Sequence, residues 1–271
     1  MRRFAALSLV GLAPFAAAAA DGLFDDDAVL DIHLAGPLAT ISRNPSDEVR
    51  QEHPFTLRVA EADIPLTVRL RGKSRTVLCD FLPLRLRFEA ASTAGTVFAG
   101  QHKLKLVTHC NNSDRYAQAV VSEYLAYRIY NALTDYSFRV RLVNMTYVYT
   151  DRNETTNSYA VFIEHKDRLG KRIDGEPVEI ERVDVSSIYP ENLSLASVFQ
   201  YFIGNTDFSP IATAPDEDCC HNQALFTSAA GPYRTIPYDF DQTGLVDAEH
   251  AAPNPRFGLP SVKKRLYRGR P

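Results

Sequence analysis

Residues 198–244, VFQYFIGNTDFSPIATAPDEDCCHNQALFTSAAGPYRTIPYDFDQTG, carry most of what the sequence says about fold and chemistry. Apolar residues at helical spacing lead to Gly204, a residue type that commonly ends helices. Loops then present Asp207 and Asn222, and a short strand runs into Asp239. Carboxylate and amide oxygens are the ligands that Mg²⁺ prefers, with substrate phosphates completing its shell. The stretch therefore predicts a magnesium site formed by Asp207, Asn222 and Asp239. The structural alternatives are a helix cap for Asp207, a turn for Asn222 and an ion pair with Arg234 for Asp239.

The order of these motifs is Asn-x-Asp, His-Asn, Tyr-x-x-Ile-Pro and Asp-Phe-Asp. It resembles the C-terminal half of the spore-coat CotH family of atypical kinases. In that family the first Asp and the Asp after the Ile-Pro-aromatic strand are functional carboxylates, which implies catalytic roles for Asp207 and Asp239. The resemblance also implies ATP and Mg²⁺ as cofactors. The fold it implies for residues 21–271 is α+β, two-lobed and protein-kinase-like, with an N-terminal antiparallel sheet plus helix and a mostly helical C-terminal lobe.

The segment at 68–74, VRLRGKS, resembles the Arg-x-Arg-Gly-x-Ser segment near the start of CotH-family kinase domains. The next strand of that family carries a basic residue toward the nucleotide, which implies this role for Arg85 in the strand at 84–88. The family commonly has lysines here, whereas this chain has arginines. In the strand at 102–107, alternation places Lys103 and Lys105 on one face, and a row of solvent-facing lysines would look the same.

Residues 113–133 form the strongest predicted helix, and Glu123 lies in its middle beside an apolar stripe. A buried carboxylate needs a partner, because burying an unpaired charge is costly. Kinases pair a strand lysine with a helix glutamate to position the lysine on the phosphates, and Lys105 followed by Glu123 has that order. The resemblance thus implies that both bind the cofactor. Pairing of Glu123 with Arg128, or exposure to solvent, is the alternative.

Two β-branched and aromatic runs at 138–149 and 158–164 flank a polar turn, which predicts an antiparallel hairpin. The second run resembles the CotH-family strand that leads into the linker between the lobes. That resemblance implies that Glu164 and His165 lie near the nucleotide base. The segment from Ser261 also resembles one beyond which family members continue, which implies that the chain lacks the family's final helices.

Residues 1–20 combine Arg2 and Arg3, a short apolar run and an alanine-rich end, the pattern of a cleaved signal peptide. We therefore expect an exported bacterial protein, periplasmic or extracellular, without a stable membrane span after cleavage. The chain has 271 residues, 45% of them hydrophobic, and a net charge of −3, so a packed globular protein is expected and a nucleic-acid partner is not. The acidic run of residues 25–27 indicates either a cation site or a solvated lead-in.

The four cysteines of an exported chain can form disulfides in three connectivities. Cys79 and Cys110 each end a strand-like run, which favours that pair as a hypothesis. The adjacent Cys219 and Cys220 would then form a vicinal bridge or stay reduced. The chain has no Cys-x-x-Cys spacing, which argues against a zinc site.

Three functions follow from these patterns. The first is an exported CotH-like kinase that transfers a phosphoryl group from Mg-ATP to a protein or envelope acceptor. The second is a catalytically inactive, kinase-like assembly module of the cell envelope. The third is a metal-dependent hydrolase that uses the aspartates with His221. The sequence contains no Gly-x-Gly-x-x-Gly, P-loop or Gly-x-Ser-x-Gly motif, which argues against P-loop enzymes and serine hydrolases.

Overall fold

The computed structural model describes residues 22–43, 51–72, 78–213, 219–228 and 231–269. The predicted signal peptide at 1–20 lies outside the described residues, as do Lys73 and Ser74 of the segment at 68–74. No helix in the described part of the chain is both long enough and apolar enough to cross a membrane.

Seven strands form a closed barrel in the order β1-β2-β3-β4-β5-β7-β6. Their bounds are β1 Leu30–Gly36, β2 His53–Val59, β3 Ala62–Leu70, β4 Leu84–Phe88, β5 Lys103–Val107, β6 Val140–Tyr149 and β7 Glu154–Ile163. Neighbouring strands are antiparallel except for β1 and β6, which pair in parallel from Leu30 opposite Val143 to Gly36 opposite Tyr149. This parallel pair joins the first strand to the long β6–β7 hairpin and closes the barrel.

The barrel encloses the first hydrophobic core. Side chains alternate along each strand, so every second residue points inward and is removed from water. The inward set includes Ile32, Leu34, Leu57, Ile64, Val68, Leu86, Leu104, Met145 and Phe162, all buried. The opposite faces of β3, β4 and β5 carry charged side chains on the outside of the barrel, where they can take part in a site.

A second layer packs on the barrel. It contains the α-helices α2 Asp114–Leu133, α3 Lys166–Arg172 and α4 Pro190–Phe202, while α1 Leu38–Arg43 follows β1. A small sheet is formed by β8 Pro177–Val178, β9 Gln223–Ser228 and β10 Gly231–Pro237, in the order β10-β9-β8. Helix α2 shares a second core with β6, β7, α4 and this sheet. In that core the ring centroids of Tyr130 and Phe199 are 4.6 Å apart, which joins α2 to α4.

The predicted two-lobed, kinase-like fold with a mostly helical C-terminal lobe is wrong. The structure is mostly β, with a closed seven-stranded barrel, a small sheet and about 25% helix. The alternation of apolar residues predicts strands, but it does not say that β1 and β6, more than a hundred residues apart, pair and close the sheet. Beyond α4 the described residues form strands and loops. Prolines recur there from Pro210 to Pro260, and proline interrupts helices by removing a donor and clashing with the preceding turn.

Several local predictions are confirmed. Helix α2 begins at Asp114 after the N-cap residue Ser113 and ends at Leu133. The β6–β7 hairpin is antiparallel, as predicted. Cys79 and Cys110 are bonded, with a Cα separation of 4.7 Å. Cys219 and Cys220 form the second, vicinal disulfide.

The acidic run at the start of the described chain is exposed to solvent, with aspartate side chains 53% to 66% exposed, which agrees with a solvated lead-in. Each of its three carboxylates pairs with an arginine of the second layer or the barrel: Asp25 with Arg139, Asp26 with Arg141 and Asp27 with Arg128. The Arg141 side chain is 3% exposed. Hydrogen bonds from the Ala28 backbone and from Arg141 lower the pKa of Asp26. The run therefore ties the N-terminal segment to α2 and β6, and it provides Arg128 with a partner other than Glu123.

Candidate functional site

An open cleft of about 630 Å³ contains the residues predicted to bind metal. Residues that follow β3 and β5 form one side of it, and the loops around β9 and β10 form the other. The charged and polar residues that line it are Arg71, Asp207, His221, Asn222, Asp239, Asp241, Gln242, His250 and Asn254. The fold thus brings Asp207, Asn222 and Asp239 to one cleft although they are distant in sequence.

The loop that carries Asp207 is fixed at the end of α4. Gly204 has a φ of +69°, and a Cβ there would lie 3.2 Å from the carbonyl oxygen of Val262, so glycine is favoured on both counts. Asn205 is 1% exposed, and its Nδ2 donates to Oε1 of Gln200 at 2.8 Å. Its Oδ1 accepts from the backbone N–H of Asp207 at 2.7 Å. Asn205, the first residue of the Asn-x-Asp motif, therefore has a structural role: it holds Asp207 in place.

Asp207, His221 and Asn222 form a hydrogen-bonded cluster. Nε2 of His221 lies 2.9 Å from Oδ1 of Asp207. Nδ2 of Asn222 donates to Oδ2 of Asp207 at 3.1 Å and to its carbonyl oxygen at 2.7 Å. Both carboxylate oxygens of Asp207 thus have partners within the protein. The amide nitrogen of Asn222 faces Asp207, so its amide oxygen is the atom that can bind a cation.

The ends of β9 and β10 bring Asn222 and Asp239 together. Gln223, which follows Asn222, is paired with Pro237, and the backbone N–H of Tyr238 donates to the carbonyl of Asn222 at 3.1 Å. Asn222 and Asp239 both have left-handed backbones, with φ of +53° and +63°. Such conformations cost roughly 1–3 kcal/mol outside glycine and cluster at functional sites. Two such residues at one end of a strand pair make this end a candidate for a functional site.

Helix α2 reaches the site through Tyr127. The backbone N–H of Asp239 donates to the Tyr127 hydroxyl at 2.9 Å. Burial raises the pKa of Tyr127 well above its usual value, and the carboxylates of Glu123 and Asp239 add to the shift. The phenol is therefore neutral. Glu123, 2% exposed, lies on the α2 side of this hydroxyl, and Asp239 lies on the cleft side.

Lys105 lies near Asp239. Its Nζ is 4.7 Å from the centre of the Tyr238 ring. Burial, followed by repulsion from Arg71, lowers the pKa of Lys105 to about 7, and the Asp239 carboxylate opposes that shift. The described geometry places Lys105 beside Asp239 and Glu123 beside Tyr127, and a direct ion pair between Lys105 and Glu123 stays a prediction.

A row of cations that includes Lys105 crosses the outside of the barrel. Arg69, Arg85 and Lys105 are directly opposite one another on β3, β4 and β5. Arg87 and Lys103 form a second cross-strand pair on the same face. Burial and the neighbouring Arg69 and Arg71 lower the pKa of Arg85. Because like charges placed directly opposite each other are unfavourable in a sheet, this arrangement favours nearby anions. Glu52 already supplies one carboxylate, with its Oε1 3.4 Å from Nη1 of Arg87.

The residues predicted to lie near the nucleotide base have mainly structural partners. Glu164 is 4% exposed, and Nη2 of Arg172 donates to its Oε2 at 2.8 Å. Nδ1 of His165 accepts from the backbone N–H of Asp167 at 3.3 Å and caps α3. Both residues line a second cleft of about 560 Å³ together with Lys103. Their predicted contact with a base stays a prediction.

Asp241 and His250 also line the main cleft, and sequence reasoning missed both. Nε2 of His250 lies 3.0 Å from Oδ2 of Asp241, and their side chains are 8% and 12% exposed, respectively. Asp241 is the second acid of the Asp-Phe-Asp motif, so the sequence contained a signal that could have identified it. His250 follows in an irregular segment with no pattern that identifies it.

The donor set agrees with Mg²⁺ only when a substrate supplies further oxygens. Among the described residues, no group of three or more His, Cys, Asp or Glu side chains is placed to hold a metal ion. Mg²⁺ in phosphoryl-transfer sites is commonly bound by one or two carboxylates, with waters and substrate phosphates completing the octahedron. Asp239 and the amide oxygen of Asn222 fit that pattern. No protein-family model matches the chain, and no curated protein matches it.

Proposed function

We propose that the cleft binds a nucleoside triphosphate with Mg²⁺ and that the protein transfers the terminal phosphoryl group to a hydroxyl of a protein or envelope acceptor. One observation carries this proposal. The cationic row of Arg69, Arg85 and Lys105 ends near the carboxylate of Asp239, and Asp239 lines the same cleft as Asp207. Phosphates need cations and the metal needs carboxylates, and phosphoryl transfer depends mainly on positioning and charge neutralisation. The motif order shared with the CotH family supports the same activity.

The proposal concerns the chemistry of the cleft and not a kinase fold, because one chemistry recurs on unrelated folds. Lys105 would bind phosphate oxygens, with Arg71 at the cleft and Arg85 beside Lys105 adding positive charge. A lysine with a pKa of about 7 is only partly charged at neutral pH. A bound polyanion favours its charged form, so phosphate binding and protonation of Lys105 strengthen each other.

Asp239 and Asn222 would hold Mg²⁺. When bound, the metal would neutralise negative charge on the phosphates. Tyr127 fixes Asp239 by accepting the hydrogen bond from its backbone N–H. The left-handed backbone at Asp239 directs the side chain away from the line of the preceding strand, toward the cleft that it shares with Asn222.

Asp207 would orient the acceptor hydroxyl and accept its proton. The acceptor oxygen then forms a bond to phosphorus as the bond to the leaving nucleoside diphosphate breaks. His221 and Asn222 hold the two carboxylate oxygens of Asp207, so the side chain has a fixed direction before the acceptor arrives. Such preorganisation is the main contribution that a protein makes to this reaction.

A second candidate is a metal-dependent phosphoester hydrolase, which the contact between His221 and Asp207 favours. A histidine oriented by a carboxylate can take a proton from water and activate it for attack. This candidate needs no nucleotide, so ligand binding separates it from the first. An inactive assembly module of the cell envelope remains as the outcome in which neither nucleotide nor metal binds.

We further propose that the protein works outside the cytoplasm. The disulfides that include Cys79 and Cys110 are consistent with an oxidising compartment. Acceptors on the periplasmic or extracellular side of the envelope would then be the accessible substrates.

A thermal-shift titration tests the first proposal against the others. A ligand that binds only the folded state stabilises it by about 2.7 kcal/mol at 100 times its Kd. We expect a rise in Tm with ATP and Mg²⁺ together and its loss in Asp239→Asn, whereas Asp63→Asn, an exposed acid paired with Arg58, behaves as wild type. A shift with a divalent metal alone, unaffected by nucleotide, would support the hydrolase. No shift with either ligand would contradict both enzymes.

A further inference from the structure

We propose that Arg268 is a positioning residue that sets the direction of Asp207 for the acceptor hydroxyl. This inference rests on the proposed phosphoryl transfer at Asp207, and it assigns a role to a residue of the segment from Ser261, for which the sequence pattern predicts no part in the site. It follows from the contacts that Arg268 makes on both sides of Asp207.

Arg268 holds the backbone that flanks Asp207. Its Nη1 donates to the carbonyl oxygen of Thr206 at 2.9 Å and to that of Phe208 at 2.6 Å. The guanidinium also lies between two aromatic rings, 4.7 Å from the centre of Phe208 and 4.5 Å from that of Phe257. One side chain thus fixes the residue before Asp207 and the residue after it.

The opposite side of the loop is held by other groups. Asn205 accepts from the Asp207 backbone N–H, and Asn222 donates to the Asp207 carbonyl and carboxylate. With Arg268 on the two neighbouring carbonyls, the peptide groups around Asp207 are constrained on both faces. The carboxylate therefore has little freedom to turn away from the cleft.

The segment that carries Arg268 is itself anchored to the site. Nε of Arg265 donates to the carbonyl of Phe202 at the end of α4, at 2.9 Å. The backbone at Val262 packs so closely against Gly244 that a Cβ on Gly244 would lie 2.5 Å from the Val262 carbonyl oxygen. Arg268 is therefore held by a fixed segment, which lets it position its neighbours.

Removal of Arg268 would leave the carbonyls of two buried residues without this donor. Thr206 is 3% exposed and Phe208 is 4% exposed. An acceptor that loses its partner in such surroundings draws the backbone toward water or another donor. A displacement of about 1 Å at a reacting group can reduce a rate about 100-fold. Lys105 lies on β5 and Asp239 follows β10, so we expect nucleotide binding to be retained when Arg268 is replaced.

Three variants test the inference. Arg268→Met keeps an unbranched chain between the rings and removes both hydrogen bonds. Arg268→Lys keeps a cation that can donate to the same carbonyls. It also provides a second test of the role of Arg268 if the Met variant does not fold. Lys263→Met is the matched control, since it removes a cation from the same segment whose partner, Asp247, is a partly exposed residue away from Asp207.

We expect Arg268→Met to lower kcat for phosphoryl transfer about 10- to 100-fold with the Kd for Mg-ATP unchanged within twofold. Arg268→Lys should recover part of kcat, and Lys263→Met should stay within threefold of wild type. Amide hydrogen exchange at residues 205–209 should be faster in Arg268→Met than in the control. An unchanged kcat, an equal loss in Lys263→Met, or a parallel loss of nucleotide affinity would overturn the assignment.

The exchange measurement separates failure of this inference from failure of the proposed function. If the wild-type protein transfers no phosphoryl group, the proposed function fails whatever Arg268 does. If exchange at residues 205–209 is the same in Arg268→Met and wild type, Arg268 does not hold the loop, and the positioning role is wrong even in an active enzyme.

Discussion

The ammonium group of Lys105 lies 4.7 Å from the centre of the Tyr238 ring, next to the residue that directly precedes Asp239. This contact joins the outer face of the barrel to the end of the β9–β10 pair. It places the last cation of the Arg69–Arg85–Lys105 row beside the carboxylate proposed to hold Mg²⁺. The proposed phosphoryl transfer depends on this junction of opposite charges.

The first prediction concerns the pH dependence of stability. Burial lowers the pKa of Lys105 from 10.5 to about 7 in the folded protein. Between pH 7 and 10.5 the unfolded state binds the extra proton, so the contribution of Lys105 to stability rises with pH over that range. The cost of burying its charge is fully present below about pH 7. Lys105→Met should therefore stabilise the protein by about 2–4 kcal/mol at pH 6, at roughly 1.4 kcal/mol per pKa unit, and by little at pH 10.

Urea unfolding of wild type and Lys105→Met at both pH values measures this difference. Lys103→Met is the matched control, because Lys103 is exposed on the same face of β5. An equal effect of Lys105→Met at pH 6 and pH 10 would show that its ammonium is not desolvated in the folded state.

The second prediction concerns Gly244. A Cβ at this position would lie 2.5 Å from the Val262 carbonyl oxygen and 3.0 Å from the Cα of Lys263. Gly244→Ala must push the C-terminal segment away, with a cost of about 1–3 kcal/mol in the free energy of unfolding. It should also lower phosphoryl transfer, because the same segment carries Arg268. Chemical denaturation and kcat measure the two effects.

Gly95→Ala is the control for that variant. Gly95 also has a positive φ, +72°, but no atom lies within 4 Å of an added Cβ. It should cost about 1 kcal/mol through backbone strain and leave activity unchanged. If Gly244→Ala affects stability no more than Gly95→Ala does, the close packing against Val262 is absent in solution.

The third prediction concerns the Cys79–Cys110 disulfide, whose cysteines are 31 positions apart in sequence. Closing a loop of this length in the unfolded chain stabilises the folded state by about 3–4 kcal/mol in the chain-entropy description. The double variant Cys79→Ser, Cys110→Ser should lose that amount in denaturant unfolding. Its nucleotide affinity should also fall, since Leu78 beside Cys79 lines the cleft. Peptide mapping that finds both thiols free in periplasmically expressed protein would contradict the prediction.

The fourth prediction separates the roles of Asn222. Asn222→Asp keeps an oxygen for the metal but replaces the donor to Asp207 with a second negative charge. We expect Mg²⁺-dependent nucleotide binding within about threefold of wild type and a loss of transfer of at least about 10-fold, because the Asp207 carboxylate is no longer held. Asn222→Ala should lower both binding and transfer. Titration calorimetry and rate measurements distinguish them, and an Asn222→Asp variant with full activity would show that the bond to Asp207 is dispensable.

The sequence predicts local elements here better than it predicts their assembly. The apolar stripe predicts α2, which begins after Ser113 although that side chain makes no cap hydrogen bond. Alternation in the two runs around the polar turn predicts the β6–β7 hairpin. Closure of the barrel depends on the parallel pairing of Leu30–Gly36 with β6, which no local pattern encodes. The helical C-terminal lobe was inferred from a family resemblance, whereas the prolines from Pro210 onward favoured the strands and loops that form.

For the candidate site too, the sequence predicts the individual residues better than the contacts between them. Asp207, Asn222 and Asp239 were identified by residue type and order, and the fold brings them to one cleft. The direction of the Asn222 amide could not be predicted, because it depends on a tertiary contact with Asp207. Arg268 and His250 were missed for the same reason, since each acts through a partner distant in sequence and lies in an irregular segment.

Phosphoryl transfer is tested most directly by incubating the purified protein with γ-labelled Mg-ATP and an envelope extract as acceptor. Wild type should label an acceptor or itself in a Mg²⁺-dependent reaction. Asp207→Asn should bind Mg-ATP with a Kd within about threefold of wild type and give at most about 1% of the label. A wild-type protein that binds Mg-ATP and transfers no label, or an Asp207→Asn variant that labels as well as wild type, would contradict the account.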